Sequence, residues 1–142
     1  MEINSRIYSL EGVKVRKLIS SGSYLENPIG FSRACRIGGQ IAISGTAPIS
    51  EGKTAFIGDV YGQTKLCLDI AVAALKEAGG HLPDVIRTRI MLVDIKRWED
   101  AARAHGELFS DIRPACTFVE VKGFIDSNWL VEIEMDAVVS ES

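Results

Sequence analysis

The chain has 142 residues, of which 46% are hydrophobic and 25% are charged. This composition is ordinary for a globular protein, and residues 1–142 are enough for one domain whose core needs no disulfide. A net charge of -3 argues against a nucleic-acid partner held through its phosphates.

The sequence offers little for a metal, an export signal or a membrane. Its three cysteines, Cys35, Cys67 and Cys116, form no CxxC pair, and only 2 histidines are present. This pattern favours free thiols in a reducing cytoplasm over a disulfide framework or a zinc site. The N-terminus has no apolar signal core, and no apolar run approaches about 18 residues. We therefore expect a cytoplasmic protein without membrane contact.

The N-terminal part of the chain predicts β-structure. Residues 7–27 carry scattered apolar anchors and are expected to be extended or loop-like. The runs 32–37 and 40–44 flank Gly38–Gly39 and predict a β-hairpin. Gly45 follows directly, where the backbone can turn or let a ligand come close.

The middle of the chain predicts two helices and a strand. Asp59 can cap a helix over 60–78, because apolar residues recur there at three- and four-residue steps. A strand is predicted over 85–93, with Ile86 on the face that packs against the core. A second helix is predicted over 96–109.

Two alternating runs, 116–121 and 130–139, predict neighbouring strands joined by a loop. Because side chains alternate along a strand, Glu132, Glu134 and Asp136 share one face of the second run, opposite an apolar face. A face with three carboxylates among apolar neighbours suits a cleft or a subunit interface. We expect Glu134 and Asp136 to be members of ion pairs.

The order of elements predicts an α+β fold in which one sheet carries both helices on the same face. The uncovered face is then expected to mix opposite charges with large apolar groups. These residues are Arg87, Arg89, Met91, Cys116, Phe118, Glu120, Glu132, Glu134 and Asp136. Such a face predicts burial against other copies of the chain, most simply around a symmetric ring.

Several segments together resemble the Rid (reactive intermediate deaminase) family, also called the YjgF or L-PSP endoribonuclease family. They are IGFSRACRIGGQIAISGTAP, the helix with Gln63 that ends in EAGG, DVIRTRIMLVDI, PACTFVEV and VEIEMDAV. The resemblance implies a chorismate-mutase-like α+β fold with a mixed, mainly antiparallel sheet. It also implies a homotrimer with small-molecule clefts between subunits, and hydrolysis of reactive enamines and imines to 2-oxo acids and ammonia without metal or cofactor.

Carried over by position, the resemblance makes Glu132 the carboxylate that orients the attacking water, and Ser44 and Gly45 the Ser-Gly step of the cleft. Cys116 stands where the family has the arginine that clamps the substrate carboxylate, and Ser32 stands where it has a tyrosine. A thiol cannot replace a bidentate guanidinium. The chain is thus identified as a divergent member whose specificity is altered.

Each candidate residue also has a structural alternative. Glu132 could be an interface carboxylate paired with an arginine of a neighbouring strand. Cys116 could fill space as a small buried residue, and His105 could lie at the edge of the core. Arg33 is the best substitute cation for an anionic ligand, or else a solvated strand charge. Phe118 completes the expected substrate-binding set.

Three functions follow from this reading. The first is a cofactor-free hydrolase of reactive enamines, imines or related small metabolites, with Glu132 as its catalytic residue. The second is a non-catalytic trimer that binds a small metabolite, which the missing arginine favours. The third, an endoribonuclease, rests on the older family name alone and is opposed by the acidic net charge.

Overall fold

The structure is a computed structural model that describes the backbone of residues 4–8 and all of residues 15–140. The strands are β1 (Asn4–Tyr8), β2 (Arg16–Ser20), β3 (Ala34–Ile37), β4 (Gln40–Thr46), β5 (Ile49–Ser50), β6 (Lys53–Thr54), β7 (Val85–Leu92), β8 (Ala115–Glu120) and β9 (Val131–Val138). The helices are α1 (Glu26–Ile29), α2 (Val60–Glu77) and α3 (Trp98–Phe109).

Seven strands form one sheet in the order β1-β2-β3-β4-β9-β7-β8, in which only the β7–β8 pair is parallel. The predicted α+β fold with a mixed, mainly antiparallel sheet is confirmed. The predicted hairpin is formed by β3 and β4, and the two predicted helices are α2 and α3. The segment 7–27, expected to be extended or loop-like, contains the end of β1, all of β2 and the start of the short helix α1, and its residues 9–14 lie outside the described part.

Helices α2 and α3 cover one face of the sheet. The side chain of Asp59 accepts a hydrogen bond from the Gly62 amide at 2.9 Å, which caps α2 as predicted. Ala71 and Ala74 are fully buried, and their small side chains let α2 lie close to β4 and β9. Within the described residues, no helix is long and apolar enough to cross a membrane.

Gln63 ties α2 to two loops through hydrogen bonds inside the core. Its side chain is fully buried. Its Nε2 atom donates to the carbonyl of Asn128 at 3.0 Å, and its Oε1 atom accepts from the amide of Leu130 at 2.8 Å. Nε2 also donates to the carbonyls of Ala55 and Phe56, both at 3.3 Å. One side chain therefore fixes the segment that leads into β9.

The predicted neighbours of β9 and the predicted face of Ile86 were both wrong. The strands β8 and β9 are not neighbours, because β7 lies between them and pairs with both. Ile86 does not face the core either, since the β7–β9 ladder shifts register between Val85 and Arg87. This bulge leaves Ile86 exposed, and strict alternation along the sequence could not show it.

The strand β8 also presents its side chains on faces opposite to those predicted. In the parallel β7–β8 ladder Cys116 pairs with Thr88 and Phe118 pairs with Ile90, and paired residues point to the same face. Thr88 and Ile90 are buried beneath the helices. Cys116 and Phe118 therefore lie on the helix-covered side, not beside the three carboxylates.

Contacts with the start of α3 agree with this correction. The ring of Phe118 meets that of Trp98 edge to face, with centroids 6.3 Å apart. The carboxylate of Glu120 accepts a hydrogen bond from the Ile95 amide at 3.1 Å, so Glu120 is also on the helix side. Because β8 is short and apolar on both faces, its alternation does not reveal which face is covered.

The substitution Gln63→Leu tests how strongly Gln63 stabilises the fold. Leucine keeps the volume but leaves a buried amide and three carbonyls without this partner, so we expect the free energy of unfolding to fall by about 2–4 kcal/mol. Denaturant unfolding measures the change. The matched control is Lys65→Leu, at an exposed position of the same helix, with an expected change within about 0.5 kcal/mol. Equal effects of the two substitutions would contradict the role given to Gln63.

Candidate active site

The register between β7 and β9 pairs two carboxylates of the uncovered face and leaves the third unpaired. Asp136 lies opposite Arg87 and Glu134 lies opposite Arg89, with nitrogen–oxygen distances of 3.9 and 2.6 Å. Glu132 lies opposite Met91. The prediction that Glu134 and Asp136 form ion pairs is confirmed. The ion-paired alternative for Glu132 is not seen among the described residues.

A β-bulge in β4 brings the Ser-Gly step to Glu132. The β4–β9 ladder shifts register between Ile43 and Thr46, so Ser44 and Gly45 together lie opposite Glu134, one step along β9 from Ile133. A Cβ atom on Gly45 would lie 3.6 Å from Oε1 of Glu132. The missing side chain of Gly45 thus leaves open space beside the carboxylate.

Arg33 lies under this bulge and is 5% exposed. Its Nη1 atom donates to the carbonyl of Gly45 at 2.7 Å, to the hydroxyl of Ser44 at 3.1 Å and to that of Thr46 at 3.2 Å. Its Nε atom donates to the hydroxyl of Ser21 at 3.0 Å. The alternative of a solvated strand charge for Arg33 is therefore wrong.

These groups line one cavity of about 250 Å³, which we call the Glu132 cavity. Its polar lining includes Arg33, Ser44 and Glu132. Its other walls are largely apolar and come from α1, β5 and the segment before β9. They are Leu25, Ile29, Phe31, Ile49, Ile125 and Trp129. A cavity of this kind suits a small molecule with one polar end.

Burial and neighbouring charges perturb the two ionisable groups of the cavity. Burial raises the pKa of Glu132 above its usual range, which the charge of Glu134 reinforces and that of Arg33 opposes. Burial also lowers the pKa of Arg33, which Glu26 and Glu132 partly offset. Arginine stays charged even so. The cavity thus holds a permanent cation and a carboxylate that protonates more readily than usual.

Two larger hollows of about 550 and 590 Å³ lie near residues 20–24. Neither contains Glu132, and their walls are more polar. We place the site in the smaller cavity because an unpaired, half-buried carboxylate with a raised pKa marks a functional position better than volume does. Ser32 lines one of the larger hollows, and its carbonyl accepts a hydrogen bond from the Ser44 hydroxyl at 2.9 Å.

A second group of predicted site residues lies on the helix side, near the edge of the sheet. The His105 Nε2 atom is 2.8 Å from the Thr88 hydroxyl, and burial lowers the pKa of His105. Cys116, the register partner of Thr88, is exposed, and Phe118 is half-buried. Within one chain the sheet separates this group from Glu132.

Sequence reasoning missed most of the apolar wall. Phe31 directly precedes the predicted Ser32, and its ring lies over the Arg33 guanidinium with 5.4 Å from Cζ to the centroid. Trp129 lies two residues before the start of β9, and its Nε1 atom donates to the Thr54 hydroxyl at 2.9 Å. The sequence signal that could have revealed this wall is that large apolar residues lie close to the polar candidates along the chain. Among the described residues, no three His, Cys, Asp or Glu side chains are grouped as metal ligands.

The fold defines a protein of the YjgF type, and the Glu132 cavity is its candidate site. A crystal structure of a Mycobacterium tuberculosis member of the YjgF/YER057c/UK114 family matches with a TM-score of 0.79 and 41% identity, over 87% of this chain and 99% of that one. The family profile described as Endoribonuclease L-PSP matches residues 24–139. The chain therefore belongs to this family, which is also known as Rid or YjgF.

Two relatives differ in how similar they are to this chain and in what their names state. An uncharacterised protein of Streptomyces coelicolor is 40% identical over 119 residues, which cover 84% of this chain and 89% of that protein. The 3-aminoacrylate deaminase RutC of Acinetobacter baylyi is 32% identical over 94 residues, which cover 66% of this chain and 74% of that protein. The relatives thus include a protein named as a deaminase.

The substitution Glu132→Gln is expected to stabilise the protein at neutral pH. The pKa of Glu132 is raised on folding, so the folded state binds more protons than the unfolded state, and the ionised carboxylate costs stability above that pKa. We expect a melting temperature about 1–3 °C above that of the wild type at pH 7. The difference should disappear below the ordinary glutamate pKa of about 4.3.

Thermal unfolding at the two pH values measures this difference. The matched control is Glu134→Gln, which removes one partner of the Arg89 ion pair and should give no gain in stability at pH 7. If Glu132→Gln lowers the melting temperature at pH 7, and by as much as Glu134→Gln does, then Glu132 is paired after all.

Proposed function

We propose that the protein is a cofactor-free hydrolase that deaminates reactive enamines, imines or related small metabolites, with Glu132 as the catalytic residue. The supporting observation is that Glu132 alone among the three carboxylates of β9 has no arginine opposite it and faces a largely apolar cavity. The relationship to a protein named 3-aminoacrylate deaminase supports the reaction class.

In this proposal Glu132 handles the protons of water addition. As the water oxygen bonds to the carbon of a protonated imine, the C=N electron pair moves to nitrogen and Glu132 takes a water proton. Glu132 then gives that proton to the amine nitrogen of the carbinolamine. The C–N bond breaks as the hydroxyl proton moves to Glu132, which leaves a carbonyl compound and ammonia. The ammonia then takes that proton from Glu132 and departs as ammonium, so the carboxylate is restored. An enamine enters the sequence when its carbon takes a proton from solvent, which gives the protonated imine directly.

The environment of Glu132 suits both halves of this cycle. A carboxylate accepts and returns protons best when its pKa is close to the working pH, and burial raises the pKa of Glu132 in that direction. The charge of Arg33 would attract an anionic group of the substrate, while the open space at Gly45 would admit the reacting carbon and water. Ser44 would border the same space.

We also propose that Cys116 alters specificity by standing where the family has its arginine. A thiol makes no bidentate pair with a carboxylate, so a substrate would depend on Arg33 for its anionic group. His105 and Phe118 lie on the same side of the sheet as Cys116, and Ser32 borders the hollow next to the Glu132 cavity. All four would complete the site only if another copy brought its helix-side edge to the cavity.

The variant Glu132→Gln should lose catalysis while Glu134→Gln keeps it. An amide cannot take the water proton, so we expect kcat to fall by about 100-fold or more. Imines are generated freshly by an amino-acid oxidase, and release of ammonia and 2-oxo acid is followed. Glu134→Gln carries the same change on the same face and should stay within about threefold of the wild type.

The rates of the wild type and of the two variants show whether Glu132 is the catalytic residue. Equal losses in the two variants would assign the effect to the face as a whole and not to Glu132. A wild type that does not exceed buffer with any imine would remove the deaminase assignment.

We propose that the uncovered face is buried in a homotrimer. It combines the Arg89–Glu134 ion pair with exposed apolar side chains, among them Ile86 and Val138, which are 53% and 42% exposed. Exposed apolar groups beside paired charges are typical of an interface between copies. Sedimentation velocity at micromolar concentration should give three times the mass of one chain. A monomer at that concentration would contradict this proposal.

A binding protein without catalysis is the second candidate, and the position of Cys116 favours it. The family arginine would be lost without consequence if the cavity only held a metabolite. A thermal-shift screen separates the two functions, because a bound ligand stabilises the folded state whether or not it reacts. A compound that raises the melting temperature and is recovered unchanged supports binding alone.

A further inference from the structure

Arg33 is buried more completely than a residue that only attracts a ligand needs to be. Taking a guanidinium out of water costs free energy, which short hydrogen bonds to the protein offset. Nε bonds to Ser21 on one side, and Nη1 bonds to Gly45 on the other. The side chain therefore connects β4 to the turn that follows β2.

The Nη1 atom of Arg33 donates hydrogen bonds to the residues that form the bulge and to the residue that follows it. Its three acceptors are the Ser44 hydroxyl, the Gly45 carbonyl and the Thr46 hydroxyl, at 3.1, 2.7 and 3.2 Å. A bulge interrupts the ladder, so its polar groups need other partners. Ser21, which accepts the hydrogen bond from Nε of Arg33, is itself held in place, because its amide donates to the Glu26 carboxylate at 3.1 Å.

We propose that Arg33 is a positioning residue, which holds the Ser44–Gly45 bulge at the height that keeps Gly45 beside the Glu132 carboxylate. This inference rests on the proposed function of the cavity. A Cβ on Gly45 would already touch Oε1 of Glu132 at 3.6 Å, so a shift of about 1 Å would close or widen the reaction space. Such misplacement lowers the rate of reaction more than the strength of binding.

The substitution Arg33→Lys separates positioning from charge. Lysine keeps the positive charge but presents one nitrogen, which cannot reach Ser21 and the bulge together. We expect kcat to fall by about tenfold or more while KM stays within about threefold. The matched control is Arg36→Lys on β3, where Arg36 bonds to the carbonyls of Gly38 and Ala78 away from the cavity. Its kcat should be unchanged.

The pH dependence of the reaction rate gives a further test, because a loss of packing around Arg33 would not by itself change the pH at which the rate falls. The charge of Arg33 lowers the pKa of Glu132, so its removal in Arg33→Gln should shift the acid limb of the rate profile to higher pH. The charge of Glu134 acts in the opposite direction and raises the pKa of Glu132, but Glu134 is present in both variants. The limb should stay in place in Arg33→Lys. A kcat within twofold of the wild type in Arg33→Lys would overturn the proposal.

Thr46→Val provides a second test if the Arg33 variants do not fold. Valine has the shape of threonine but removes one acceptor of Nη1, together with the 2.8 Å hydrogen bond from the Thr46 hydroxyl to the Ser44 carbonyl, while Arg33 and its charge remain. We expect kcat to fall by about threefold to tenfold with little change in KM. An unchanged kcat in this variant would overturn the proposal.

Amide hydrogen exchange keeps the test independent of the proposed function. The Ser44 amide donates to the Arg33 carbonyl at 3.0 Å, so its exchange rate reports how firmly the bulge is held. We expect exchange about tenfold faster or more in Arg33→Lys and Thr46→Val. If the wild type hydrolyses no imine, the proposed function fails while faster exchange still supports the positioning role. Unchanged exchange in both variants would contradict that role.

Discussion

The site depends on the register of β7 against β9. Arginines at positions 87 and 89 meet Asp136 and Glu134, and the next pair along the ladder sets Glu132 against Met91. Burial raises the pKa of Glu132, because it disfavours the charged form, and the charge of Arg33 in the same cavity offsets this rise only in part. One pairing pattern thus places two carboxylates in ion pairs and leaves the third without one among the described residues.

The remaining features of the cavity bring groups to that carboxylate. The bulge in β4 carries Ser44 and Gly45 over β9, and Arg33 bonds to both of them from beneath. The segment before β9 supplies the apolar side chain of Trp129, and Gln63 fixes that segment through its bond to Leu130. Hydrogen bonds that stabilise the fold therefore also shape the place where a substrate would bind.

Local patterns predicted much of this structure. Apolar spacing and the Asp59 cap gave α2, and alternation in β9 gave both the buried face and the carboxylate face. Alternation could not give the phase of β8, which is apolar on both faces, nor the bulge that exposes Ile86. Those features depend on pairing between strands distant in sequence, as does the burial of Arg33. The β7–β8 register places Cys116 and Phe118 on the side of the sheet where His105 contacts Thr88.

Glu132 has no ion-pair partner in the part of the chain that the structure describes, and its burial disfavours its charge. The most direct test is an NMR pH titration of carbon-13-labelled glutamate in the protein without ligand, with the Glu132 signal assigned by its loss in Glu132→Gln. We expect Glu132 to titrate above the ordinary glutamate value of about 4.3. A Glu132 signal that titrates at or below that value would mean that a partner stabilises the ionised carboxylate, and Glu132 would then be an ion-paired residue like its two neighbours on β9.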